Sequence, residues 1–187
     1  MSFISVITEM KDNKPLSPVE QRFILHWGEM GTQWGINRTV AQIHALLYIT
    51  PKPLDAEAIS SILNVARSNV STSLKELQSW GILRRVNQLG DKRDYFESVQ
   101  DVWELFRLIT NERKKREIDP TLSILRSCIV EANQDDQTSP QTEERLRNLA
   151  EFLEVTTSWY DTVSKWPTKS IRRMLTMGDK IRRRVGL

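Results

Sequence analysis

The chain has 187 residues, 39% of them hydrophobic and 27% charged, a mixture that supports a buried core and excludes wholesale disorder. A formal net charge of +3 permits a polyanionic partner without demanding one, so the distribution of charge has to decide. The single cysteine, Cys128, excludes an internal disulfide, and no run approaches the roughly 20 apolar residues of a membrane span.

Residues 1–16 form a short arm that lacks a basic leader and a small-residue cleavage site, so the cytoplasm is the expected location. Ser17-Pro-Val-Glu20 then predicts a helix start, with Ser17 as cap, Pro18 at the first helical position and Glu20 closing a capping box. Phe23, Trp27, Met30 and Trp34 follow at helical spacing, and Gly35 ends the helix. Asn37 is placed to cap a second helix, whose buried face is Val40, Ile43, Leu47 and Leu46 and which Pro51 and Pro53 stop. Asp55 caps a third, short helix carrying Ala58, Ile59 and Ile62, and a turn at Asn64-Val65 leads into a fourth that ends near Trp80-Gly81.

Two alternating runs come next, 82–87 and 95–99, separated by the polar turn Gln88-Leu-Gly-Asp-Lys-Arg-Asp94. They read as a β-hairpin. Helices followed by a hairpin with a basic tip give the order of a winged helix-turn-helix, and residues 17–100 are assigned to it.

The remainder, 101–187, reads as a helical dimerisation and possible sensing region. Val102, Leu105, Phe106 and Ile109 mark one helix. Asp119-Pro120 is then either a new cap or a kink, and the polar stretch from Ala132 to Thr142 is a loop. From about Gln141 to Lys165, Leu146, Leu149, Leu153, Thr156, Tyr160 and Val163 keep the 3-4-3-4-3 spacing of a coiled-coil seam. Phe152, Trp159 and Trp166 recur every seven residues beside it, so the stripe has to pack on the rest of the chain or on a second copy. Leu146, Leu149, Leu153, Tyr160 and Val163 are the expected homodimer contacts. From Lys165 to Leu187 the chain carries eight Lys/Arg and one acid, Asp179. That tail is suited to phosphate, to an anionic membrane or to the acids Glu143, Glu144, Glu151 and Glu154.

The residues expected to read a partner lie between 55 and 96. In the fourth helix, Ala66, Val70, Leu74 and Leu77 share one face, while Ser68, Thr72, Lys75 and Ser79 oppose them and Arg67, Asn69 and Ser71 flank the start. Such a face suits the major groove of double-stranded DNA: Arg can bond guanine twice, Asn can do the same with adenine, and hydroxyls reach phosphates or bases. Between Val65 and Tyr95 there are six Lys/Arg and three acids. A solvated helix face is the bland alternative for each feature alone, and their coincidence in this order outweighs it.

Arg38-Thr-Val-Ala-Gln-Ile-His-Ala-Leu-Leu-Tyr-Ile49, Arg67-Ser-Asn-Val-Ser-Thr-Ser-Leu-Lys-Glu-Leu-Gln-Ser-Trp-Gly-Ile-Leu83 and Gly90-Asp-Lys-Arg-Asp-Tyr-Phe96 resemble the GbsR-type branch of the MarR-like transcriptional regulators. The resemblance implies a dimeric regulator, a repressor by expectation, on an inverted repeat. It implies Arg67, Ser68, Asn69, Ser71, Thr72 and Lys75 towards the major groove, Arg93 at the wing tip in the minor groove, and Lys92 on phosphate. Asp91 is expected to brace the wing. Ala66 stands where such helices often carry a capping Ser or Thr, which leaves open a start at Asn64 or Ser68. The resemblance also implies a small effector such as choline or glycine betaine. Trp27, Trp34, Trp103 and Trp159 are its candidate rings through cation–π attraction, with core packing as the alternative.

No catalytic or metal-binding spacing accompanies His26 and His44, so neither an enzyme nor a cofactor is expected. A winged helix turned to a protein partner is the competing reading. It would expose apolar residues where this reading face is polar.

Overall fold

The computed structural model describes residues 16–185, with the side chains at 175 and 178–185 left out. The chain divides into two units, one ending at Leu105 and the other beginning at Phe106.

Helix α1 (Pro18–Gln33) starts on the expected capping box: Ser17 Oγ accepts the Glu20 N–H at 3.3 Å, and Glu20 Oε2 accepts the Ser17 N–H at 2.7 Å. Helix α2 (Arg38–Ile49) is capped by Asn37, whose Oδ1 accepts the Thr39 N–H at 2.8 Å. The anticipated apolar face of α2 is buried, but so are Ala41, His44 and Ala45. The reason is position: α1 packs on one side of α2 while α4 and β3 close the other.

Asp55 caps α3 (Ala56–Leu63) by accepting the Ala58 N–H at 2.7 Å, and Asn64 closes that helix in the left-handed region with φ of 51°, which Asn tolerates better than most residues. Helix α4 (Arg67–Ser79) follows and stops at Trp80-Gly81. The hairpin is β2 (Leu83–Asn87) and β3 (Asp94–Ser98), turned by Gly90 at a φ of 84°. It is not alone. Residues Leu54–Asp55 form a short strand β1 antiparallel to β3, with Leu54 opposite Phe96 and Asp55 opposite Tyr95, so the sheet has three strands in the order β1-β3-β2.

Helix α5 (Val102–Arg113) starts where Asp101 Oδ1 accepts the N–H groups of Trp103 and Glu104. The open choice at Asp119-Pro120 resolves as a distortion of a continuing helix. A π-helical turn over Lys114–Ile118 leads into α6 (Asp119–Ala132) without a side-chain cap, and Lys114 Nζ lies 3.0 Å from Asp119 and 3.6 Å from Asp161. Helix α7 (Pro140–Val163) begins on Ser139, and α8 (Thr168–Val185) follows Pro167. Among the described residues the core of this second unit is small: Leu122, Leu125 and Ala150, joined by Ile129, Leu146 and Leu153.

Two glycines set the approach of α1 to α2. A Cβ on Gly31 would lie 2.5 Å from Ala41 Cβ, and one on Gly28 would lie 2.7 Å from Gln42 Cγ. Gly35, by contrast, has open space and a φ of 75° and ends the helix as expected. Gly31→Ala is expected to lower the unfolding free energy by about 1–3 kcal/mol, because the overpacking exceeds the gain in helix propensity. Adding Ala41→Gly should restore part of the loss in urea denaturation. No deficit in the single variant would mean that the helices separate freely.

His44 is 4% exposed and lies 6.2 Å by ring centroid from both Trp27 and Tyr48. Its Nε2 has no hydrogen-bond partner among the described residues, and burial pushes the imidazole pKa down to about 4 from 6.5. The unfolded chain therefore binds this proton first as pH falls, so stability is full above pH about 6.5 and declines between there and about 4. The loss should reach about 3 kcal/mol, and His44→Leu should remove that part of the pH dependence of the urea midpoint. An unchanged profile in the variant would place the acid sensitivity elsewhere.

Candidate nucleic-acid interface

Helix α4 presents the polar face that the sequence suggests. Arg67, Ser68, Asn69, Thr72, Lys75 and Ser79 are exposed and Ser71 is half-buried, while Val70, Leu74 and Leu77 are sealed against the core. Ala66 departs from expectation: it is exposed, not buried with Val70, because it precedes the helix as the N-cap. It offers no side-chain hydrogen bond, and Asn64 belongs to the end of α3, so α4 starts at Arg67. The first N–H groups of α4 are consequently left without a side-chain acceptor, an arrangement that favours an anion.

Between α4 and the wing lies an open groove of about 510 Å³, bordered by Arg67, Ser71 and Lys75 on one side and Arg85 and Arg93 on the other. All three of its arginines already hold acids. Arg67 Nε is 3.7 Å from Glu57, Arg85 Nη1 is 3.2 Å from Asp94, and nearby Arg84 Nη2 is 3.5 Å from Glu104. These pairs are solvent-exposed, so each is weak and easily exchanged for another anion. Lys75 and Lys92 are exposed and have no ion pair among the described residues.

Arg93 is the most constrained cation. Its Nη1 donates to Asp55 Oδ2, its Nη2 to Asp91 Oδ2 at 2.6 Å, and its Nε to both Asp91 oxygens at 3.0 and 3.1 Å. Its backbone N–H reaches Asp91 Oδ1 at 2.9 Å, the Tyr95 hydroxyl donates to Asp91 Oδ2 at 2.8 Å, and the guanidinium lies 5.3 Å from the Tyr95 ring centroid. These donors, above all the Arg93 guanidinium, hold the Asp91 carboxyl well below the usual carboxylate range, and the Asp91 carboxylate in turn pushes the Arg93 pKa up. Donation to Asp91 likewise pushes the Tyr95 phenol up. Asp91 thus pairs with Arg93, as the brace expectation has it. The head of Arg93, expected at the wing tip, is turned back on two carboxylates.

Sequence reasoning treats Asp55 only as a helix cap and passes over Tyr95 as an alternating strand residue. It also misses Leu89, which stands fully exposed at the wing tip; an apolar residue inside an otherwise polar turn is the signal that marks it. The four candidate tryptophans divide between the units, with Trp27, Trp34 and Trp103 in the first and Trp159 in the second. Trp27 packs 5.5 Å from Phe23 and 6.2 Å from His44 by ring centroid. Trp34 and Trp159 are more than half exposed.

The expected dimer seam also separates. Leu146 and Leu153 pack on Leu122 and Leu125 of α6, and the Tyr160 hydroxyl donates to Asn111 Oδ1 at 3.0 Å and to the Arg107 carbonyl at 3.3 Å. These three thus make contacts within the unit and stay half-buried. Leu149, Phe152, Val155 and Trp159 remain exposed, and Val163 is half-buried. Leu149, Phe152, Thr156, Trp159, Val163 and Trp166 form a second 3-4-3-4-3 series, rotated round the helix from the first.

Residues 34–94 match the model of the MarR family. The matched segment holds all of α2, α3 and α4 and the wing turn. The chain is 21% identical over 159 residues to YvaV of Bacillus subtilis (strain 168), named as a putative HTH-type transcriptional regulator, covering 82% of this chain and 90% of the relative. It is 20% identical over 149 residues to the HTH-type transcriptional repressor OpcR of the same organism, covering 78% and 80%. In three dimensions it is similar to a crystal structure of a transcriptional regulator, with a TM-score of 0.63, 19% identity, and coverage of 79% of this chain and 96% of that one. The fold is a mainly helical winged helix. Among the described residues no His, Cys, Asp or Glu cluster fit for a metal ion occurs, and no helix is long and apolar enough to cross a membrane.

The Arg93 latch generates a test. Asp55 is 7% exposed as a side chain, so Arg93→Gln leaves a buried carboxylate short of a partner and should cost about 1–3 kcal/mol of stability. Amide exchange in residues 88–95 should accelerate while that of α2 is unchanged. Equal protection of the wing in both proteins would mean that the latch does not hold it.

Proposed function

We propose that this chain is a sequence-specific regulator of transcription that binds double-stranded DNA as a homodimer and represses, on the GbsR-type branch. The single observation that carries the reading is the exposed Arg67-Ser68-Asn69/Thr72-Lys75 face of an uncapped α4 beside a wing braced by Asp91 and Arg93. Helix α4 would enter the major groove, with Asn69 and Arg67 facing base edges. Its free first N–H groups and Lys75 would take phosphate, and the wing would follow the minor groove with Lys92 on the backbone. Arg93 acts in this scheme mainly by setting the pitch of the wing. Leu89 is suited to an apolar contact in the minor groove.

Support for two copies comes from α7. Exposed Leu149, Phe152, Val155 and Trp159 make a stripe that water disfavours and a second α7 would cover. A twofold dimer calls for an inverted repeat with half-sites about one helical turn apart. The name of OpcR supports repression. For release, choline or glycine betaine remains the effector class of this reading, with Trp27 beside Phe23, His44 and Tyr48 as the ring-rich place to meet it.

Fluorescence anisotropy on duplexes from the chain's own upstream region, over a salt series and against scrambled DNA, tests the proposal. Binding should exceed the control by about a thousandfold near physiological salt. Asn69→Ala should change which base is preferred, whereas Lys92→Ala should weaken all sequences alike and reduce the salt slope by about 1. Equal, sequence-independent losses at both positions would defeat the assignment of α4. Millimolar choline or glycine betaine should release the DNA, and no release would remove that ligand class while leaving the regulator in place.

A further inference from the structure

Helix α8 has a composition that reading DNA with α4 does not use. Its positions Ile171, Met174, Leu175, Met177, Gly178, Ile181 and Val185 fall within somewhat less than half of the helix circumference at 100° per residue, a sector that Arg182 alone among the cations interrupts. Lys169, Arg172, Arg173, Lys180, Arg183 and Arg184 fall on the opposite third, and Asp179 is the one acid of the helix. Arg172 and Arg173 are exposed, Ile171 and Met174 are half-buried, and Met177 is 51% exposed. The start of the helix is fastened by Arg107, whose Nη2 donates to Thr168 Oγ1 at 2.8 Å and whose Nη1 donates to the Trp166 carbonyl at 3.1 Å.

The acids that the sequence offers as a counter-surface are in part already taken. Glu143 holds Arg147 at 2.6 Å, and Glu154 holds Arg126 at 2.7 Å. A second copy brings the same occupied acids. DNA would satisfy the cations but has no use for the apolar side of the helix. An anionic bilayer satisfies both halves at once: the apolar side enters the acyl boundary and the cations meet headgroup phosphates.

We propose that α8 is an interfacial helix that docks this protein on anionic lipid membranes. Eighteen residues with six of seven cations in one arc and Ile, Met, Leu and Val in the other lie flat at an interface instead of crossing it, and the long side chain of an intruding arginine such as Arg182 is of the kind that reaches out to the headgroups.

The test is co-sedimentation of the full chain with vesicles of pure phosphatidylcholine and of phosphatidylcholine with about a third phosphatidylglycerol. The protein should pellet at least tenfold better with the anionic vesicles. Arg172→Gln with Arg173→Gln should lower that partition about thirtyfold. Met174→Gln with Met177→Gln, which keeps charge and side-chain length, should lower it at least fivefold. The thermal melting of each variant without lipid serves as the control for folding. Failure to pellet with anionic vesicles at low salt overturns the proposal. So does binding lost with the arginines but indifferent to the methionines, which would make α8 a purely electrostatic arm suited to DNA. A dimer dissociated by the methionine changes, in a protein that never pellets, would give the apolar side to a second copy and also overturn it.

Discussion

One carboxylate ties the reading surface together. Asp55 caps α3 through the Ala58 N–H, sits in β1 opposite Tyr95, and receives Arg93 from the far side of the wing turn. A carboxylate this buried is tolerated only when donors surround it. The start of α3 and the base of the wing must therefore stay together for either to be stable in this form. Since α3 packs on α4, the same constraint fixes the wing relative to the helix beside it. A buried ion pair of this kind adds little net stability against an apolar substitute. What it supplies is geometry, a groove whose two walls cannot drift apart.

The pattern of ion pairs bears on how such a surface would meet DNA. Arg67, Arg84, Arg85 and Arg93 each hold an acid, which accounts for a reading unit that is rich in arginine in a chain of net charge only +3. Phosphate has to displace those acids. The exposed pairs are worth little individually, so exchange is nearly neutral where geometry is good and unrewarding where it is poor. A surface with Lys75 and Lys92 as its unpaired cations should hold random DNA weakly, because that affinity scales with phosphates neutralised. In the proposed reading, discrimination would then rest on α4 and on the pitch of the wing.

What the sequence discloses and what it hides follow the range of the interactions involved. Ser17, Asn37 and Asp55 announce their helices because a cap bonds within three residues. The polar face of α4 is legible because its buried counterpart, Val70, Leu74 and Leu77, obeys one helical period. Strand β1 is not legible, since two residues carry no alternation and their partner in β3 lies far along the chain. The orientation of Arg93 is hidden for the same reason: Asp55 is 38 residues away, and a basic turn looks free until its acid is found. In α7 the periodicity offers two neighbouring seams. Only the packing of α6 on Leu146 and Leu153 shows that the second, through Leu149, Phe152 and Trp159, is the one left open.

That open seam has an energetic consequence for the second unit. Its core of Leu122, Leu125 and Ala150 with three half-buried neighbours is the product of one helix pair, and a single pair buries too little apolar surface to offset the entropy of ordering long helices. Phe152 and Trp159, two of the largest apolar side chains of α7, contribute nothing to that core while they remain exposed. Covering them with a second copy, as the dimer reading requires, would add the missing burial at about 25 cal/mol per Å². Folding of α6 and α7 would then be linked to association, so the stability of this unit should rise with protein concentration. The reading unit, with α2 enclosed on both sides, has no such dependence. A regulator built this way would lose its pairing before it loses its reading surface, and with it the avidity that two half-sites provide.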